Sequence, residues 1–87
     1  MSRWLFERLD NELGRLREVV NSLERYVAAD EDEKQLGIQL FEKRCGDVRA
    51  AIELVVRELD ASNEEIGWQM YRSLQKFKIK KRAKVKR

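Results

Sequence analysis

The twelve residues KFKIKKRAKVKR, positions 76 to 87, carry eight cations and no acid, and they are the segment of this chain best suited to chemistry. Lys76, Lys78, Lys80, Lys81, Arg82, Lys84, Lys86 and Arg87 supply the charge density that binds a phosphate backbone by releasing its counterions, a mode that needs no defined fold. Phe77, Ile79, Ala83 and Val85 are interleaved with them, so the same segment suits an anionic membrane surface or an acidic protein. A solubilising terminus or a localisation signal would require no more than these charges.

Little else offers reactive chemistry. The chain has no His and a single Cys, which removes the commonest general base and any disulfide framework or zinc site. Cys45 falls in an apolar series, where a thiol behaves as a small inert hydrophobe. No phosphate-binding glycine loop, nucleophile elbow or metal spacing is present. Helical chorismate mutases do without His, but they need Arg and Lys inside the bundle, and the apolar series here contain neither. The expectation is a non-enzymatic protein with no cofactor and no metal.

The elements that must carry this segment are written in the apolar spacing. Phe6, Leu9, Leu13, Leu16, Val20, Leu23 and Val27 recur at alternating three and four residues, and Ile38, Phe41, Cys45, Val48, Ile52, Val55 and Leu59 repeat the pattern. That spacing places each set on one face of a helix. With Phe6 at heptad position a, Leu5, Val19 and Tyr26 flank the first seam at g, so the stripe is wider than a two-stranded zipper needs and fits a bundle. The first helix is predicted from Ser2 or Arg3 to about Ala28. Asp30-Glu31-Asp32-Glu33 then supplies negative charge to the start of the second, and so short a connection requires an antiparallel hairpin over residues 3 to 59. Gly37 and Gly46 within the second helix read either as tolerated weakness or, at Gly46, as a close approach of another helix. Ser62 and Glu65 match a capping box, opening a shorter third helix with Ile66, Met70, Leu74 and Phe77 on one line. It is expected to be either a lid on the hairpin or an arm.

Charge divides the chain in the same place. Residues 1 to 75 hold 16 acids against 11 basic residues, a balance of −5, and residues 76 to 87 carry +8. The organisation expected is a helical bundle domain over 1–75 and a basic tail over 76–87. With no Pro and 40% charged residues, the composition is that of long helices. Charges from Glu7 onward leave no apolar run for a signal peptide or a membrane span, so the expected protein is soluble and intracellular, without integral membrane insertion.

Leu5-Phe6-Glu7 with Leu9-Asp10 early in the first helix, and Asp32-Glu33-Lys34-Gln35-Leu36-Gly37 opening the second with Phe41 four residues further on, resemble the small helical-hairpin adaptor proteins of spindle-shaped viruses of hyperthermophilic archaea. The resemblance covers residues 5 to about 59. It implies a hairpin that pairs into an antiparallel four-helix bundle, similar in shape to the RNA-binding hairpin dimer of plasmid copy-number control, in host cytoplasm and without a catalytic site. It carries over no functional residue, and the third helix and basic tail depart from it.

The fold expected is therefore all-α, an antiparallel hairpin with a short third helix, assembled as a homodimer of four-helix-bundle type through the fourteen seam residues named above. Its function would be that of an interaction or adaptor module for a protein partner, with Trp4, Leu40, Leu54, Trp68 and Tyr71 as candidate partner surface. The alternative is a nucleic-acid-binding regulator that uses the basic tail.

Overall fold

A computed structural model describes residues 3–85, and the side chains of residues 3–78. The chain forms α1 (Arg3–Ala28), α2 (Glu31–Leu59) and α3 (Asn63–Val85), with no strand among the described residues. The Asp30 carboxylate accepts the Glu33 N–H at 2.9 Å, which satisfies one of the free donors at the start of α2. Glu31, Asp32 and Glu33 place their charge against the positive end of that helix.

The second connection is as tightly specified. Asp60 adopts the left-handed conformation (φ 53°, ψ 38°), and its N–H reaches Arg57 O at 3.3 Å while the Ala61 N–H reaches Val56 O at 3.0 Å. These are the paired bonds of a Schellman ending. Ser62 follows at once as the cap of α3, its Oγ accepting the Glu65 N–H at 3.1 Å. The Glu65 carboxylate accepts instead from Gln69 Nε2 at 2.8 Å, so this half of the expected capping box is turned forward into the helix.

The helix packing is almost all between α1 and α2. None of Asn63–Lys78 is buried, and α3 leaves the hairpin as an arm, giving a flat molecule of 46 × 30 × 15 Å. The arm extends further than an apolar third helix required: α3 continues through most of the basic segment to Val85, so Lys80, Lys81, Arg82 and Lys84 lie on a helix. Lys86 and Arg87 lie outside the described residues.

The hairpin core is thin. Leu5, Val48, Ala51 and Val56 are its buried hydrophobic residues, and no described side chain is completely enclosed. Gly37 fixes the register at the turn end, because a Cβ added there would stand 2.6 Å from Tyr26 Cβ. The close approach is thus at Gly37. Gly46, where a Cβ would meet nothing within 4 Å, has no such role.

Candidate interaction surface

The residues between the two helices are mostly the g and d positions of the heptad, and Val56, at e, is buried as well. On α1 these are Leu5, Leu9, Glu12, Leu16, Val19, Leu23 and Tyr26, each buried or half-buried; on α2 they are Gly37, Arg44, Val48, Ala51 and Val55, with Phe41 at the margin. Sequence reasoning placed Leu5, Val19 and Tyr26 beside the seam and missed Glu12, Arg44 and Ala51. Charged and small residues give no apolar signal, and only their heptad spacing marks them.

Contact through g and d turns the a positions to the side. Because the helices are antiparallel, both a columns emerge on the same face of the hairpin. Leu13 (41% exposed), Val20 (49%) and Val27 (49%) stand there on α1, with Ile52 (40%) and Leu59 (49%) on α2. Phe6, Ile38 and Cys45 belong to the same columns and are half-buried. Cys45 is a free thiol beside a shallow depression shared with Phe41, Glu42, Gly46 and Arg49, so it sits on this open face and not in an enclosed core. The fourteen residues of the two seams thus divide: the d positions mostly close the hairpin, and the a positions make an apolar face with nothing over it.

The opposite face is grooved and mixes charged with apolar residues. Trp4, Arg8 and Glu12 from α1 line an open groove with Asp47, Ala50, Ala51 and Leu54 from α2. The helices bring Trp4 and Leu54 to one site, both exposed, whereas Leu40 on the same side of α2 is half-buried. Glu12 is the one buried charged residue in the hairpin, 5% exposed, and its carboxylate accepts from Arg15 Nη1 at 3.2 Å. A carboxylate held this far from water needs such a partner.

On α3, Ile66, Met70, Leu74 and Phe77 form one apolar line, all well exposed. Trp68 and Tyr71 lie off that line and meet edge to face, ring centroids 6.1 Å apart at 88°. Lys76 and Lys78 are exposed beside them.

Among the described residues there is no group of three or more His, Cys, Asp or Glu placed to hold a metal, and no helix long and apolar enough to cross a membrane. No protein-family model, curated protein or solved structure matches the chain.

Proposed function

We propose that this chain is a non-enzymatic interaction module that self-associates through the a-position face of its hairpin, in a dimer of helical-bundle type, and presents its remaining surfaces to a macromolecular partner. One observation supports it above the others: Leu13, Val20, Val27, Ile52 and Leu59 lie together on one side of a hairpin whose own core is thin. A chain this small buries a limited share of its surface alone, and association supplies the rest. Light scattering coupled to size exclusion tests it, with twice the chain mass expected at micromolar concentration and a helical monomer refuting it.

The second reading, a nucleic-acid-binding regulator, draws on the basic residues of the arm, of which Lys76 and Lys78 are exposed, with Trp68 and Tyr71 on the same helix. Aromatic rings that stack on bases and a cationic track are the components of single-strand binding. Titration of labelled DNA and RNA at low salt tests it, and absence of binding there refutes it.

A further inference from the structure

Two apolar surfaces lie uncovered in one chain: the a-position face of the hairpin and the Ile66–Met70–Leu74–Phe77 line of α3. We infer that they cover each other between two copies, the α3 arm of each chain lying on the hairpin face of the other. The inference rests on the self-association proposed above and names what the face receives.

Length, charge and the joint all favour this occupant. Ile66 to Phe77 spans roughly 17 Å of helix and Leu13 to Val27 roughly 21 Å, at about 1.5 Å per residue, so the arm's apolar line fits within the face. Residues 1–60 hold fourteen acids and ten basic residues, a balance of −4, while α3 holds two acids and seven basic residues, a balance of +5. Opposite charge steers the arm toward a hairpin and disfavours pairing of arm with arm. The joint is only Asp60, Ala61 and Ser62, with its backbone committed to the ending of α2 and the cap of α3. It holds the arm away from its own hairpin, and a second copy offers the same face without bending that joint. Pairing of two hairpins through their a faces would leave both arms bare, whereas exchange of arms, an economical route to a dimer, covers both surfaces at once.

The test uses full-length chains. Leu74→Asp changes a half-exposed residue of the arm, so by circular dichroism the hairpin helices are expected to remain while the mass falls from two chains to one. Val20→Asp, on the receiving face, is expected to do the same. An equimolar mixture of the two variants contains one sound arm and one sound face, and is expected to regain part of the dimer where each alone is monomeric. A Leu74→Asp protein that stays dimeric overturns arm exchange and leaves self-association standing. A monomeric unsubstituted chain overturns both, and a mixture that stays monomeric overturns arm exchange.

Discussion

Two glycines in one helix are expected to respond to the same substitution in different ways. Alanine for glycine inside a helix is worth about 0.8–1 kcal/mol in propensity, and at Gly46 nothing within 4 Å opposes the new methyl group. Gly46→Ala is therefore expected to raise stability by roughly that amount. At Gly37 the added Cβ would lie 2.6 Å from Tyr26 Cβ, against 3.4 Å or more for ordinary contact. Since the atom it meets is fixed to the α1 backbone, no rotation of the tyrosine relieves the overlap, and the helices themselves must part. Overpacking of this kind costs about 1–3 kcal/mol, which cancels or exceeds the propensity gain. The two variants should differ in stability by about that overpacking cost of 1–3 kcal/mol. At about 4–8 °C per kcal/mol for a chain of this size, the melting temperatures separate by at least about 4 °C. Thermal melts followed by circular dichroism measure it, at one protein concentration because association couples Tm to concentration. Gly37→Ala melting with or above Gly46→Ala would refute the close approach of α1 and α2.

Val48→Asp, at a buried d position, is expected to unfold the hairpin, since an unpaired carboxylate there costs several kcal/mol, comparable to the whole stability of a small domain; Ile52→Asp, on the exposed face, should retain helicity by circular dichroism and lose the dimer by light scattering. Glu42→Ala, away from both, should shift a urea midpoint by no more than about 0.5 kcal/mol equivalent. Replacing Glu12 by Leu should be neutral or stabilising in the same assay, because the buried carboxylate carries a desolvation cost that its contact with a largely exposed Arg15 offsets only in part. If the basic arm binds nucleic acid, loss of residues 76 to 87 should abolish binding, and the intact protein's log–log salt slope should be about −0.9 per neutralised duplex phosphate, or about −0.7 on single strands.

The helices were legible because two independent signals agree along them. Apolar residues at 3-4 spacing mark their length, and Asp30 and Ser62 mark where two of them begin. The face on which α1 meets α2 was harder to read. The seam is three positions wide, a, d and g, and a pair of antiparallel helices can close through either edge of it. Counting apolar residues favours a, yet Gly37 and Ala51 at g let the backbones come close, and Glu12 enters that contact with Arg15 beside it. Small residues and a paired carboxylate leave no hydrophobic trace. The posture of α3 was illegible for a different reason: Ile66, Met70, Leu74 and Phe77 make the same pattern whether they lie on their own hairpin, on a neighbour or on nothing. The backbone bonds at Asp60 and Ala61 decide it, and left-handed Asp60 is not marked by a glycine.

An arm with so little tertiary packing has to hold its helix chiefly by intrinsic propensity, its serine cap and contacts within the arm such as Gln69 with Glu65 and Trp68 with Tyr71, and isolated helices are marginal in water. Amide hydrogens between Glu65 and Phe77 therefore open in small local events, while those around Val48 and Val56 exchange only when the hairpin comes apart. The chain has two tiers of local stability in one sequence, joined at three residues. Whatever covers the arm must pay for ordering it, which lowers affinity per unit of buried surface and makes capture strongly dependent on temperature. Slow exchange that appears along α3 only upon association would report that coupling directly, residue by residue.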